Sequence, residues 1–311
     1  RLALGLVGCL ILCVLSSIIT GCSINAYIGI CFKFISMTFV LMVFRCDADE
    51  VREHLIRALW LVVVFGVINI FLVHFVPLLF TLKSIDGYFT NTLFYIFNFK
   101  AKTDFGGVSL MRNQALFWEP GVFQIPLNIL IYHIIIEEQK QISKAIIPIL
   151  LVISTVSTTG FIILAIIIGF KFRHVVFAKK YGLKTLCGVI CVILCFVPLL
   201  MREIEHKFQG DAQESAALRT YDFLMGMNAV SKYPITGIGP DVNRYIAMTS
   251  SLDMLFYNDI DIDVERGNTN SLVTMFVFFG IPISCVILTR LYKQNLFIKH
   301  RRLFFVILVP I

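Results

Sequence analysis

The sequence predicts an all-α polytopic membrane protein with about eight or more transmembrane helices. Hydrophobic residues make up 58% of the 311-residue chain, charged residues make up 15%, and the mean hydropathy is +0.85. A soluble domain is apolar over only about 45–50% of its residues, so this composition excludes that class. The apolar runs are continuous and do not alternate with polar residues, which excludes a membrane β-barrel.

Seven apolar runs are long enough to be helices that cross the bilayer, which takes about 20 residues each. They lie at residues 2–20, 24–44, 55–80, 122–136, 145–170, 186–201 and 271–291. An eighth run begins at Leu303 and stops with the chain. Because the first residue is Arg1 rather than Met, we expect a fragment at both ends.

Basic residues cluster in four short loops, at 45–54, 137–144, 171–184 and 293–302. The positive-inside rule places these loops in the cytoplasm and the long loops 81–121 and 202–270 outside. We therefore expect a membrane region at 1–200 that includes the outer loop 81–121. A periplasmic loop with surface helices follows at 201–270, and an incomplete membrane region at 271–311.

The apolar run at 145–170 poses a conflict, because the basic loops on its two sides cannot both be cytoplasmic if one straight helix joins them. Small polar residues and a glycine occupy its middle, at 153–160. Such residues can break a transmembrane helix beside a wet cavity. We predict two short helices that meet there near the outer face. The alternative is one span whose Ser and Thr hydroxyls bond back to preceding carbonyls.

Charge and cysteine patterns exclude several chemistries. The net charge of +7 lies mostly in short loops, so it reports membrane orientation and does not imply nucleic-acid binding. The nine cysteines form no CxxC pair, which argues against disulfide and zinc frameworks. An acidic cluster at 259–265 lacks the glycine and the spacing of a calcium loop. We expect no metal and no cofactor.

The most informative stretch runs from Met111 to Phe123, where the outer loop 81–121 leads into a span. Pro120 suits the first helical position, and Glu119 lies beside the positive end of the helix. Beside the apolar Trp118, a carboxylate would gain proton affinity, which suits a general base for a sugar hydroxyl. The alternative is that Glu119 caps the helix and Trp118 anchors it at the membrane interface.

The second stretch lies in the long acidic loop. Ala217, Tyr221, Leu224 and Met225 share one face at helical spacing, which predicts a surface helix. Arg219 lies off that face and either pairs with Asp222 on a solvated surface or binds substrate. The functional hypothesis requires Arg112 and Arg219 to converge on a diphosphate, which guanidinium groups bind in bidentate fashion without a metal.

Other polar residues carry weaker signals. Gly237 and Gly239 lack the third glycine of a dinucleotide site, so a turn is favoured. Lys33 lies near the centre of an apolar run, where it either snorkels to the interface or lines the cavity. His74 and Asn69 are interpreted as satisfied core groups.

These motifs, taken in order, resemble the bacterial O-antigen polymerase and ligase superfamily, membrane glycosyltransferases that act on undecaprenyl-diphosphate-linked glycans. The motifs are Arg112 with Glu-Pro-Gly at 119–121, Ser157 to Gly160, Arg219 with the Pro-Ile-Thr-Gly-Ile-Gly at 234–239, Asn268 to Ser271, and Phe279 to Pro282. Many relatives carry an Arg and a His where this chain has Thr158 and Thr269. The missing His argues against a ligase-type mechanism and favours a polymerase.

The resemblance implies transfer of a glycan from undecaprenyl diphosphate to a sugar hydroxyl of the next lipid-linked repeat unit. It assigns catalysis to Arg112, Glu119 and Arg219, and the arginines would stabilise the departing diphosphate. Substrate binding would involve Asn270, Thr159, Gly237, Gly239 and Lys33. Asn270 either orients the acceptor or caps the helix that it opens.

The implied location is the bacterial inner membrane, with the active face periplasmic or extracellular. The expected partners are the lipid-linked oligosaccharide, membrane lipids and a chain-length regulator, with no nucleic acid. Two other classes stay open at this stage. A flippase or other transporter predicts charges buried within several spans, whereas the polar groups here gather in two outer loops. A structural or chain-length-regulating protein would need no convergence of Arg and Glu.

Overall fold

The computed structural model of the chain describes residues 2–44, 47–85, 88–105, 108–139, 142–176, 211–250 and 271–308. The helices of these ranges, in chain order, are α1 (Leu2–Thr20), α2 (Ile28–Val43), α3 (Ala48–Phe75), α4 (Pro120–Tyr132), α5 (Ile146–Ser154), α6 (Thr158–Val176), α7 (Asp211–Lys232), α8 (Val242–Ser250), α9 (Ser271–Tyr292) and α10 (Arg301–Leu308). A π-helical turn at His133–Glu137 extends α4.

Contacts divide the chain into two units. The first unit comprises Arg1–Ala48 and Met201–Gln294, and the second comprises Asp49–Leu200 and Asn295–Ile311. The two units are defined by contacts between residues. The three regions expected from the sequence are defined by the side of the membrane on which each segment lies, so the units do not test them. The membrane region, periplasmic loop and C-terminal region therefore stay predictions.

Within the described ranges, four helices are long and apolar enough to cross a membrane. They are Ile24–Val43, Ala48–Phe75, Pro120–Glu137 and Ser271–Tyr292, each close to a predicted span. Leu6–Thr20 and Ile142–Ser154 are shorter apolar helices. The predicted span at 186–201 lies outside the described residues. The expected number of eight or more spans is thus not confirmed.

A four-stranded antiparallel sheet corrects the all-α prediction. Its strands are β1 (Thr81–Ile85), β2 (Tyr88–Leu93), β3 (Phe97–Phe105) and β4 (Val108–Ala115), in spatial order β1-β2-β3-β4. They fill the predicted outer loop 81–121. Apolar and polar residues alternate from Phe97 to Lys102, the two-residue period of a strand. That signal was present in the sequence, but the loop was interpreted only by its length and position.

The core of the second unit is built around α4. Phe123, Leu127, Leu130 and Ile131 are fully buried, and they pack with apolar residues of α3, α5 and α6. Gly66 lets α3 pack closely against α4, because a Cβ at this position would lie only 2.7 Å from Phe123 Cζ. Close packing of this kind holds α3, α4 and α5 at one level of the bundle.

The predicted break in the span at 145–170 is confirmed, and the alternative of one straight helix is wrong. Helix α5 ends at Ser154 and α6 begins at Thr158. The Ser154 and Thr155 hydroxyls donate to the carbonyls of Leu151 and Val152, each at 2.7 Å. Val156 has a φ of 46°, a conformation that a β-branched residue rarely adopts and that cannot continue a helix.

In the first unit, α7 packs Tyr221 and Met225 against Val273 and Val277 of α9. The predicted surface helix is present, but its face differs from the prediction. Leu224 is 47% exposed, and the Ala217 side chain lies outside the described residues. Asp222 is only 2% exposed, so it does not lie on a solvated surface, and a pair between Asp222 and Arg219 stays a prediction.

Three glycines join the 233–240 loop to a kink in α9. The amides of Ile238 and Gly239 donate to the carbonyls of Val277 and Phe278, at 2.8 and 3.1 Å. The kink at Gly280 frees those carbonyls, and its φ of 71° favours glycine. The favoured interpretation of Gly237 and Gly239 as turn residues is confirmed by their φ values of 66° and 81°.

We predict that Gly280→Ala lowers the stability of the first unit. An added Cβ would lie 2.3 Å from the Ile235 carbonyl oxygen, and the positive φ adds strain. The cost should exceed about 1 kcal/mol, visible as a lower midpoint of thermal unfolding in detergent. Gly29→Ala in α2 is the control, because a Cβ there meets nothing within 4 Å. Equal midpoints for the two variants would contradict the close approach.

Candidate functional site

Arg112 is attached to the break between α5 and α6. Its Nε donates to the Thr155 carbonyl oxygen at 3.0 Å, and the side chain is half-buried. Thr155 lies in the segment where the helix is interrupted. The sequence prediction named Arg112 and the broken span separately, and the structure brings them together.

Asn113, the next residue, ties β4 to two helices. Its Nδ2 donates to the Gly66 carbonyl oxygen of α3 at 3.1 Å and to Ser154 Oγ at the end of α5 at 3.3 Å. Its Oδ1 accepts from Asn69 Nδ2 at 2.7 Å and from the Ala115 amide at 3.1 Å. One buried amide group thus fixes the strand that carries Arg112.

Two further asparagines complete this buried network. Asn69 Nδ2 also donates to the Asn98 carbonyl oxygen at 2.8 Å, and Asn98 Nδ2 donates to the Ala115 carbonyl oxygen at 3.0 Å. Asn69 is fully buried as expected, but its Oδ1 has no hydrogen-bond partner among the described residues. The interpretation of His74 as a core group is wrong, because His74 is exposed near the end of α3. Buried amides that are hydrogen-bonded in this way rigidify the elements that they join.

The segment between β4 and α4 is held by Gln114. Its Oε1 accepts from Thr90 Oγ1 at 2.7 Å, and its Nε2 donates to the Trp118 carbonyl oxygen at 2.8 Å. Glu119 follows as the N-cap residue of α4 and is exposed. Its side chain makes no capping hydrogen bond, so the carboxylate does not cap α4 by hydrogen bonding, and the alternative role of Trp118 as an interface anchor stays untested. Trp118 is also exposed.

Thr159 lies in the first turn of α6, directly after the break, and is half-buried. Around it, Ser157 Oγ accepts from the Gly160 amide at 3.4 Å. A Cβ on Gly160 would lie 3.1 Å from Gln124 Cβ, so α6 packs closely against α4. The break, Thr159 and the first turns of α4 thus lie side by side.

Strand β4 and helices α4 and α5 all contact α3 at Gly66. The Gly66 carbonyl receives the Asn113 amide, and its Cα faces Phe123 of α4 and Leu151 of α5. At 1.5 Å per residue, Gly66 lies about 14 Å before the end of α3 at Phe75. The site is therefore recessed along α3 rather than placed at its end.

The other predicted site residues belong to the first unit. Lys33 is exposed on α2, and Arg219 lies in α7 with a side chain outside the described residues. Asn270 also lies outside them. The amides of Gly237 and Gly239 donate to the Tyr233 and Phe278 carbonyls. The convergence of Arg112 and Arg219 on one diphosphate stays a prediction.

Arg244 is a residue that the sequence reasoning missed. Its Nη1 donates to the carbonyl oxygens of Thr20 and Ile238, the latter at 3.3 Å. The arginine thereby joins the C-terminal end of α1 to the loop of Gly237 and Gly239. Asp241 is the N-cap of α8, and its Oδ1 accepts from the Arg244 amide at 3.3 Å. An aspartate at this position is a sequence signal for the start of the helix that carries Arg244.

A charged cavity of about 870 Å³ lies elsewhere in the second unit, and no predicted site residue lines it. Its walls include Arg52, Arg57 and Lys299 together with several carboxylates. Ion pairs within it join Arg52 to Asp49 and Arg57 to Glu53. In the described part of the chain, no group of three or more His, Cys, Asp or Glu side chains is suited to hold a metal ion.

Comparison with known proteins gives one match. Residues 145–288, slightly less than half of the chain, match the family model described as O-antigen ligase. The match supports the O-antigen ligase and polymerase superfamily. With the apolar helices, it indicates a membrane protein related to membrane glycosyltransferases, and it does not separate ligase from polymerase. Comparisons with curated proteins and with solved structures found no match.

The matched region, residues 145–288, covers only part of the candidate site. It begins at the start of α5 and includes the broken span, Arg219, the loop of Gly237 and Gly239, and most of α9. Arg112 and Glu119 lie before it. Arg112 nevertheless contacts the matched region through Thr155.

We predict that Asn113→Ala destabilises the second unit. The substitution leaves the Asn69 amide and the Gly66 carbonyl oxygen buried without this partner, at a cost of about 1–3 kcal/mol. Thermal unfolding in detergent measures the loss. Asn25→Ala, at an exposed asparagine of the first unit, is the control. An unchanged midpoint for Asn113→Ala would show that the network does not hold the sheet to α3.

Proposed function

We propose that the chain polymerises lipid-linked oligosaccharide repeat units into a surface polysaccharide, an O-antigen or a capsule. The growing glycan is transferred from undecaprenyl diphosphate to a sugar hydroxyl of the next unit. The observation that carries the proposal is the attachment of Arg112 to the Thr155 carbonyl in the broken span. It connects a cation with the region that matches the O-antigen ligase family.

Departure of the diphosphate is the step that needs positive charge. Negative charge develops on the leaving oxygen in the transition state, and fixed guanidinium groups stabilise it without reorganising. The bond from Nε to Thr155 fixes one edge of the Arg112 guanidinium before substrate binds. Arg219, inside the matched region, is proposed as the second arginine.

Acceptance of a proton from the acceptor hydroxyl is assigned to Glu119. Its carboxylate is exposed and is not used in capping α4. It lies at the N-terminal end of α4, directly after the segment that Gln114 holds. Activation resides in the lipid diphosphate, and the proposed steps use only side chains of the protein.

Substrate contacts are proposed for the remaining predicted residues. Among these residues, Thr159 is the closest in sequence to Thr155, whose carbonyl accepts from Arg112. Thr159 lies in the first turn of α6. Gly237 and Gly239 are proposed to contribute through the loop that they shape, since their amides already donate to carbonyls and Phe278 and Cys22 fill the space that a Cβ would take. Lys33 and Asn270 are proposed as contacts to the glycan or the lipid diphosphate.

An O-antigen ligase is the second candidate, because that is the description of the matching family. A ligase transfers finished polymer to a lipid core, whereas a polymerase joins repeat units on the carrier. The polymerase is favoured by Thr269, which stands where many relatives carry a His. The proposed location is the inner membrane of a bacterium, with the active face outside the cytoplasm.

We expect Arg112→Ala and Arg219→Ala each to abolish the polysaccharide ladder of cells that depend on this protein. Each variant removes a cation proposed to stabilise the departing diphosphate. Surface polysaccharide is separated on gels, and the membrane level of the protein is measured in the same samples. Arg57→Ala is the matched control, because Arg57 forms an exposed pair with Glu53 on α3.

The pattern of the remaining bands separates the two candidate functions. Loss of polymerisation leaves a lipid core that carries at most one repeat unit. Loss of ligation leaves polymer on the carrier and a core with no repeat unit. An unchanged ladder for both arginine variants, with normal protein levels, would contradict the enzyme proposal and favour a transporter or a structural protein.

We expect Glu119→Gln to slow polymerisation by about 10²–10⁴-fold, the usual contribution of a general base. The amide keeps the size of the side chain but accepts no proton. The rate is measured as polymer formed from lipid-linked repeat units by the purified protein. Glu138→Gln, at an exposed glutamate after the π-helical turn, is the control. Similar rates for the two variants would remove Glu119 from the mechanism.

A further inference from the structure

The hairpin that joins β2 to β3 ends in an apolar tip. Leu93 pairs with Phe97, and the Ile96 amide donates to the Leu93 carbonyl oxygen at 3.2 Å, which closes a four-residue turn. Phe94 is 79% exposed and Tyr95 is 64% exposed, and Ile96 is also exposed. Three large side chains at the end of a hairpin thus have no cover from the described part of the protein.

The backbone of this turn is unusual for such residues. Phe94 and Tyr95 have φ values of 55° and 59°. Two central residues with positive φ characterise the type I′ turn, which in water is normally built from Asn-Gly or Asp-Gly. Bulky residues rarely adopt this conformation. The chain therefore uses aromatic residues where a hairpin in water would use small polar ones.

The tip lies beside the middle of a helix that is apolar enough to cross the bilayer. The rings of Phe97 and Phe65 are 6.0 Å apart, and Asn69 Nδ2 donates to the Asn98 carbonyl oxygen. Further along β3, the rings of Phe99 and Phe80 are 5.1 Å apart. Strand β3 thus begins at the level of Phe65 and continues toward the C-terminal end of α3, and the tip lies at the other end of the strand.

With α3 across the bilayer and Phe75 at the edge of the hydrocarbon layer, this position would lie near the middle of that layer. Phe65 lies about 15 Å before the end of α3 at Phe75, which is half of the roughly 30 Å thickness of that layer. Around the same level, α3 exposes apolar side chains, among them Leu61, Val64 and Ile68. The exposed tip therefore continues an apolar surface of a candidate transmembrane helix.

We propose that the sheet is re-entrant and that the hairpin tip at residues 93–97 inserts between the acyl chains of bilayer phospholipids. The lipid environment accounts for aromatic residues in a turn that water would fill with Asn-Gly. Within the tip, the Ile96 amide bonds to the Leu93 carbonyl, and directly beside the tip the side chains of Asn69, Asn98 and Asn113 bond backbone groups of Asn98 and Ala115. The proposal is independent of the glycan chemistry assigned to Arg112 and Glu119.

Tryptophan fluorescence in vesicles tests the depth of the tip. The chain has two tryptophans, Trp60 and Trp118, so replacing both with Phe gives a silent background. Tyr95→Trp in that background is reconstituted as the full chain into phosphatidylcholine vesicles with bromine at the middle of the acyl chains. We expect it to lose most of its fluorescence relative to unbrominated vesicles and to be insensitive to aqueous iodide.

Two matched proteins calibrate this measurement. Lys100→Trp in the same background lies about 10 Å along β3 from Phe97, nearer to the membrane surface, so iodide should quench it more and mid-chain bromine should quench it less than Tyr95→Trp. The protein with Trp60 alone gives the response of an α3 residue. Phe94→Trp repeats the test at the neighbouring tip residue in case Tyr95→Trp does not fold.

The two outcomes are distinct. Strong quenching of the tip by brominated acyl chains, against quenching of Lys100→Trp by iodide, supports insertion. Quenching of Tyr95→Trp or Phe94→Trp by iodide at the level of Lys100→Trp would overturn the proposal and assign the tip to water. Neither outcome depends on whether the protein polymerises glycans.

Discussion

The interruption at Thr155 of the apolar run 145–170 is the feature on which the second unit depends. In a continuous helix, the Thr155 carbonyl would accept a backbone hydrogen bond from the next turn. The break leaves that carbonyl available to the Arg112 guanidinium. The hydroxyls of Ser154 and Thr155 bond back to the preceding turn, so the end of α5 is satisfied without further residues. An arginine beside apolar helices is tolerated because an irregular backbone supplies its partner.

Close packing and buried amides convert this contact into a rigid arrangement. Gly66 and Gly160 let α3 and α6 approach α4 at distances that a side chain would prevent. Asn113 then joins β4 to α3 and to the end of α5 at the same level. A site that must hold a charge in place benefits from such fixed supports, since little reorganisation is needed when substrate binds. Glycine has a comparable role in the first unit, where Gly280 opens α9 to the loop of Gly237 and Gly239.

Local sequence patterns predicted the positions of many helices. The positions of α1, α3, α4 and α9 follow from apolar runs, and the break follows from Ser and Thr residues beside Gly160. The sheet was missed although Phe97 to Lys102 alternate as a strand does, because a hydrophilic loop and a strand with one polar face differ little in composition. For the candidate site, Arg112, Glu119 and Thr159 were named from sequence, while the bond from Arg112 to Thr155 and the support by Asn113 at Gly66 were not foreseen.

The sequence by itself determined that this is an apolar, membrane-type chain with helices at these positions and a break near Thr155. Those properties depend on composition and on residues a few positions apart, which any local stretch carries with it. The tertiary structure alone decided that Arg112 bonds to Thr155, that three asparagines meet, and that a hairpin tip lies beside Phe65. These contacts join residues far apart in the chain, and several use backbone groups. Every residue presents the same carbonyl and amide, so no side chain in the sequence marks which partner will be chosen.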